Sequence, residues 1–345
     1  MKILVIGGTR FIGAFTVRRL VEMGHEVAVF HRGRSAHEIL PDIEHIQGDR
    51  NKLVEFKDRF RQFAPDVVLD SFALTEHHAQ TFVEVFKGLT GRSVVLSSGD
   101  VYRAFGVLGR TEDSPIQPVP LKEDAPLRKK FYPGRGQESR ADDDPDQWVD
   151  DYDKILVERI VRNETDLPTT ILRLPAVYGP GDHRPYPYLK RMMDGRKVIL
   201  LGEDLARWRF QKGYVENVAA AIALAVTDSR VEGKIYNIGE PDTLSEVDWI
   251  RAIGAVVGWE GKIATVPKER LPDHLQPSGN TAQDLVYNTE LFREQCNYTE
   301  HIVANEGLKR TLDWERANPP ENIDDTQFNY EAEDQVIAEL GLHGG

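Results

Sequence analysis

Met1-Lys2-Ile3-Leu4-Val5-Ile6-Gly7-Gly8-Thr9-Arg10-Phe11-Ile12-Gly13 is the stretch that decides the fold. Ile3 to Ile6 form an unbroken aliphatic run, the pattern of a strand buried on both faces. Gly7 and Gly8 follow at once. Phe11, Ile12, Phe15, Val17, Leu20 and Val21 then recur at helical spacing, up to a stop at Gly24. Strand, glycine turn and helix in this order can hold a dinucleotide pyrophosphate. The glycines admit a close backbone approach, and the helix N-terminus offers free N–H groups and a positive dipole end. Gly13 is placed to close the helix onto the strand.

The same alternation continues outward. Strands are expected at Glu26–Phe30, Ile43–Ile46, Val67–Asp70, Ser93–Leu96 and Ile171–Leu174, with helical patterns between them. This predicts an α/β Rossmann fold, a doubly wound parallel sheet whose ligands bind at the carboxyl edge. Three segments fall at that edge: Gly48-Asp49-Arg50, Ser71-Phe72-Ala73 and Ser97-Ser98-Gly99-Asp100-Val101-Tyr102. An amphipathic helix is expected over Asp150–Arg162, with Lys154 and Glu158 on one face.

Composition narrows the function. The chain has 345 residues, 40% hydrophobic, enough for a large core. Its net charge of −13 argues against nucleic acid and anionic membrane, so the expected partner is a small molecule. Cys296 is the single cysteine, which excludes an internal disulfide and a cysteine-built zinc site. The acidic cluster Asp142, Asp143, Asp144 and Asp146 lacks calcium-loop spacing, and no metal set is assigned. No apolar run reaches membrane-spanning length, and a cytoplasmic protein is expected.

The motifs resemble those of the extended short-chain dehydrogenase/reductases, the NAD-dependent epimerase/dehydratase family. Gly7-Gly8-Thr9-x-Phe11-Ile12-Gly13 resembles their nucleotide-binding turn, with Arg10 where most members have glycine and an atypical group has arginine. Ser97-Ser98-x-x-Val101-Tyr102 resembles the Ser-Ser-x-x-Val-Tyr segment, Pro175-Ala176-Val177-Tyr178-Gly179-Pro180-Gly181 the turn that seats the nicotinamide, and Tyr214-Val215-Glu216-Asn217-Val218-Ala219 a later family signature. The resemblance covers nearly the whole chain except residues 106–147 and the tail. It implies a cofactor site of Gly7, Thr9, Arg10, Phe11, Ile12, Gly13, Asp49, Arg50, Ala73, Ser97, Lys154, Pro175 and Val177. His31 stands where the family places a ribose-binding acid, flanked by Arg32 and Arg34, which favours NADP over NAD. The resemblance further implies a smaller C-terminal α/β substrate lobe and a homodimer built on two long helices. The dinucleotide domain is expected at 1–181 and about 211–240, with 106–147 inserted as a lid; the lobe at 182–210 and 241–320; and an acidic tail at 321–345, either a packed arm or a frayed end.

One catalytic position departs from the family. The proton-donating tyrosine should stand four residues before the lysine, where this chain has Asp150. Beside an ammonium group Asp150 would be ionised, able to accept a proton but not to give one. Tyr152 is only two residues from Lys154. On one continuous helix it would face roughly 200° away, and a core or interface role with Trp148 suits it better. The expected catalytic set is Ser98, Lys154, and either Asp150 as base or a displaced tyrosine, Tyr132 before Tyr102 and Tyr178. The expected activity is an oxidoreductase or epimerase using NADP or NAD on a sugar, nucleotide-sugar or similar polar substrate. The alternative is a non-catalytic NADP-binding regulator or an RNA-binding-like protein.

Overall fold

The computed structural model describes residues 1–33, 43–136, 140 and 147–342. Its centre is a seven-stranded parallel sheet. In chain order the strands are β1 (Lys2–Ile6), β2 (Glu26–His31), β3 (Glu44–Gln47), β4 (Val67–Asp70), β5 (Arg92–Ser98), β6 (Thr169–Leu174), β7 (Ala176–Tyr178), β8 (Val198–Gly202), β9 (Lys212–Tyr214), β10 (Ile235–Asn237) and β11 (Lys262–Val266). The large sheet runs β10-β6-β5-β4-β1-β2-β3, and every neighbouring pair is parallel. The order reverses between β1 and β4. Their carboxyl ends therefore diverge into a crevice, where an open α/β sheet binds its ligand.

Apolar side chains fill both faces. Val5, Val17, Leu20, Val29, Leu69 and Ile222 belong to the core on the side of helices Phe11–Glu22 and Val215–Thr227. Leu4, Ile6, Phe60, Val68, Phe82 and Val157 belong to the opposite core, under helices Lys57–Phe63, Glu76–Phe86 and Lys154–Asn163. A sheet covered on both faces explains why its strands read as continuous apolar runs.

Two smaller parallel pairs, β7–β9 and β8–β11, complete the architecture. The core around β8 and β11 takes Val336 and Ile337 from the last helix, Tyr330–Glu339, and Leu340 and Leu342 from just past its end. Arg191 and Glu333, both buried, join that helix to the helix Tyr186–Met193 at 2.7 Å. The C-terminal segment is thus a packed arm through Leu342.

Two sequence expectations need correcting. The segment beginning at residue 106 is less loose than a lid. Val119, Leu121, Ala125, Leu127 and Phe131 pack against Val101, Tyr102, Leu285 and Tyr287, because the chain there carries an apolar residue every few positions. The helix expected at Asp150–Arg162 begins only at Lys154. Gln147–Asp151 is a separate 3-10 turn, and Asp153 caps the new helix by accepting from the N–H groups of Ile155 (2.8 Å) and Leu156 (3.3 Å).

Candidate active site

A cleft of about 1250 Å³ opens at the carboxyl ends of β1, β4 and β5. Gly7 and Gly8 have φ of 88° and 95°, in the left-handed region that glycine enters without steric cost. A Cβ on Gly13 would lie 2.5 Å from the Cα of Gly8, so only glycine lets helix and turn approach this closely. Arg10 occupies the N-cap without a side-chain cap bond, which leaves the first-turn N–H groups open toward the cleft. This is a cradle for an anionic group.

Most of the cofactor residues expected from sequence line this one cleft: Gly7, Thr9, Arg10, Phe11, Ile12, Gly13, Arg32, Asp49, Arg50, Ser97, Lys154 and Pro175. Ala73 and Val177 do not line it. Val177 is buried in β7, and Ala73 contributes only its carbonyl, to Lys154. Arg34 lies outside the described residues. Arg10 and Arg32 are both exposed. His31 is buried instead. Its Nδ1 accepts from the Gly33 N–H at 3.0 Å, and its Nε2 faces His45 Nδ1 at 3.0 Å. Arg50 is largely occupied by its own protein, donating to Asp70 Oδ2 at 2.5 Å and to the His78 carbonyl at 2.9 Å. Its Nε and Nη1 are buried with no partner among the described residues.

Lys154 is buried to 5% exposure. Its ammonium donates to the Ala73 and Leu96 carbonyls, both at 2.8 Å. An ammonium has three N–H groups, so one donor is left for the cleft that Lys154 lines. Burial lowers its pKa to about 8, although Asp100, Asp70 and Glu158 oppose the shift. Beneath it Glu158 accepts from Ser97 Oγ at 2.6 Å and pairs with both arms of the buried Arg173 at 3.0 and 2.8 Å.

The proton-transfer candidates are distributed differently from the sequence reading. Ser98 lines the cleft and Asp150 lines it too, but Asp150 sits on the 3-10 turn. Its carboxylate accepts from the Gly136 N–H (3.2 Å) and the Arg140 guanidinium (3.4 Å), not from Lys154. Tyr132 gives its hydroxyl to Glu76 at 3.1 Å and does not line the cleft. Tyr102 and Tyr178 are fully buried, their hydroxyls bound to Asn237 (2.5 Å) and Glu240 (2.8 Å). Trp148, expected at an interface, lines the cleft instead. Tyr152 is also elsewhere than expected. Because the helix starts after it, its phenol turns toward the end of β5 and donates to Asp100 Oδ2 at 2.6 Å. The sequence signal for this was Asp153, an N-cap residue type directly before the apolar-periodic run.

Comparison with known proteins agrees with this geometry. The model of the NAD dependent epimerase/dehydratase family matches residues 3–86 and 130–239, more than half of the chain. The chain belongs to that family. It is 26% identical over 333 residues to a UDP-N-acetyl-alpha-D-glucosaminuronate decarboxylase of Bacillus cytotoxicus, covering 91% of this chain and 98% of that protein. In structure it is similar to UDP-glucose 4-epimerase of Thermotoga maritima, solved with UDP-glucose: TM-score 0.65, 19% identity, 93% of this chain and 100% of that one. It is also similar to the Bordetella bronchiseptica enzyme WbmG, solved with NAD: TM-score 0.67, 16% identity, 92% and 94% coverage.

Proposed function

We propose that this protein is a nicotinamide-dependent oxidoreductase of the epimerase/dehydratase kind that acts on a sugar, nucleotide-sugar or similar polar substrate in the cytoplasm. The observation that carries the reading is that the glycine cradle, Ser98 and the buried Lys154 face one cleft. In this reading the turn from Gly7 to Gly13 holds the pyrophosphate, with Arg10 beside it. Asp49 and Arg50 lie toward the adenine. Lys154 uses its third N–H for the nicotinamide ribose, and Ser97 and Pro175 border the ring. The bound nicotinamide supplies a site that takes up and returns a hydride. Ser98 donates a hydrogen bond to the substrate oxygen, and Trp148 limits water at the mouth.

We further propose that NADP is preferred over NAD. The exposed guanidinium of Arg32 suits a ribose 2′-phosphate, and the position of the usual acid is filled by a buried histidine. Substrate selection falls to the lobe of residues 182–210 and 241–320. The protein works as a homodimer through helices Glu76–Phe86 and Lys154–Asn163, which lie together on one face of the sheet. The direct test is calorimetry with NADP and NAD on the whole protein. Binding of neither nucleotide at millimolar concentration would remove this reading.

A further inference from the structure

The phenol of Tyr152 and the carboxylate of Asp100 share a 2.6 Å hydrogen bond that none of the roles above uses. Tyr152 reaches it because the chain breaks at residues 152–153. The 3-10 turn ends at Asp151, Tyr152 forms an isolated bridge with Thr75, and the Asp153 N–H bonds the Leu74 carbonyl. On a continuous helix this phenol would have faced away from Lys154. Tyr152 itself does not line the cleft; Ser98, which does, interacts with its phenol and helps to lower the phenol's pKa, and Ser98 Oγ accepts from the Asp100 N–H at 3.2 Å. Asp100 Oδ1 is buried with no partner among the described residues. A cleft-side hydroxyl, a phenol and a buried carboxylate thus stand in sequence, and the last has an unfilled acceptor.

We propose that Tyr152 takes and returns the substrate's proton through the Ser98 hydroxyl, and that Asp100 stores that proton behind it. The proposal deepens the oxidoreductase reading and rests on it. When a substrate alcohol is oxidised, its O–H bond breaks and the proton bonds to Ser98 Oγ, while the O–H bond of Ser98 breaks and that proton bonds to Tyr152 Oη. At the same time the phenol's own O–H bond breaks and its proton passes to Asp100 Oδ2. The carbon loses a hydride, with both electrons, to the nicotinamide, and a carbonyl forms. Reduction runs every transfer backwards, so protons and electrons balance in both directions.

The surroundings favour the pair over Asp150. Burial, together with the charge of Asp100, holds the Tyr152 phenol well above its usual range, so at neutral pH it is protonated and makes a poor base alone. The carboxylate supplies the missing acceptor. Burial raises Asp100 as well, and the Tyr152 bond, Arg128 and Lys154 oppose that rise while Asp153 adds to it. A raised carboxyl lies nearer the working pH, where a proton store exchanges best. The Tyr287 phenol faces the same carboxylate from the far side of Gly99. The carboxylate of Asp150, in contrast, is already engaged by Gly136 and Arg140.

The test uses the full chain, beginning with calorimetry on NADP and NAD. In the cofactor-free protein, carbon-13 NMR of labelled aspartate follows Asp100, its resonance identified by its loss in Asp100→Asn. Asp100 should titrate above ordinary aspartates and move further up in Tyr152→Phe, since the phenol's bond favours the charged form. Turnover is then read at 340 nm with UDP-glucose and UDP-glucuronic acid. Tyr152→Phe should lower kcat about 10²-fold or more, with KM and cofactor Kd within about threefold. Asp100→Asn should do the same, and the double variant should be little worse than Tyr152→Phe. Four results overturn the proposal: an Asp100 resonance indifferent to Tyr152→Phe, a Tyr152→Phe turnover within threefold of the parent, a larger loss in Asp150→Asn or Tyr132→Phe, or a parent that binds cofactor yet leaves both sugars untouched. If neither nucleotide binds, the oxidoreductase reading itself fails, and the proposal falls with it.

Discussion

Replacing Gly13 by alanine adds one carbon at the most confined point of the cofactor cradle. Built on the present backbone, that carbon lies 2.5 Å from the Gly8 Cα, 2.9 Å from its N and 3.2 Å from its C. Carbon atoms rest about 3.5–4.0 Å apart, so helix and turn must separate by about 1 Å. No side chain can rotate away, because all three contacts are backbone. Overpacking of this kind costs about 1–3 kcal/mol, a fall of roughly 1–4 °C in Tm for a chain of this size. The loss in binding should be larger than the loss in stability. A displacement of 1 Å removes the N–H groups of the turn from the pyrophosphate, and a loss of about 3 kcal/mol is on the order of 10²-fold in Kd. Calorimetry with NADP and a thermal melt measure both quantities. Gly91→Ala is the control, since a Cβ there meets nothing within 4 Å. Gly13→Ala protein that binds NADP within threefold of the parent and melts at the same temperature would refute the reasoning.

Arg32→Ala should weaken NADP about tenfold or more and leave NAD nearly unchanged, by calorimetry; equal effects on the two would remove the 2′-phosphate argument. Glu158→Ala strands the buried Arg173 guanidinium and should cost about 3–5 kcal/mol in urea unfolding, so a cost below about 1 kcal/mol would show the pair to be dispensable. Lys154 has its folded pKa lowered to about 8 from the ordinary value near 10.5, so between these pH values the unfolded chain binds more protons than the native one. Stability should therefore rise by about 3 kcal/mol from pH 8 to 10.5 relative to Lys154→Met, and parallel curves for the two proteins would contradict the shift. Light scattering at micromolar concentration should give twice the chain mass, and a monomer would count against the paired-helix dimer.

The first strand, glycine turn and helix were legible because three independent local signals coincide within thirteen residues: an apolar run, two glycines and a helical repeat. The parallel, doubly wound class of the sheet was legible for a related reason, since parallel strands joined by helices leave few arrangements. The start of the Lys154 helix was not. A helical pattern runs back through Asp150 and masks the one local signal, the capping residue Asp153, while tertiary partners fix the break: Leu74 for the Asp153 N–H, Thr75 for the Tyr152 backbone and Asp100 for its phenol. These lie fifty to eighty positions away in sequence, beyond the reach of any local rule. The C-terminal arm was one of two readings the tail left open, and its anchor, Arg191 to Glu333, spans 142 positions. Trp148 and Tyr152 were misplaced together, because both faces were assigned from a helix that does not extend that far.

Asp153 is a junction as well as a cap. Its Oδ1 fixes the first turn of the Lys154 helix, its Oδ2 accepts the Tyr132 N–H at 2.7 Å, and the Arg128 guanidinium stands 3.7 Å away, all of it buried. Tyr132 and Arg128 belong to the long excursion that leaves the sheet after β5, whereas Lys154 belongs to the cleft. One carboxylate therefore fastens a peripheral segment to the register of the cofactor-facing lysine. The excursion and the turn from which Lys154 projects thus share one anchor, and removing that carboxylate is expected to loosen both together.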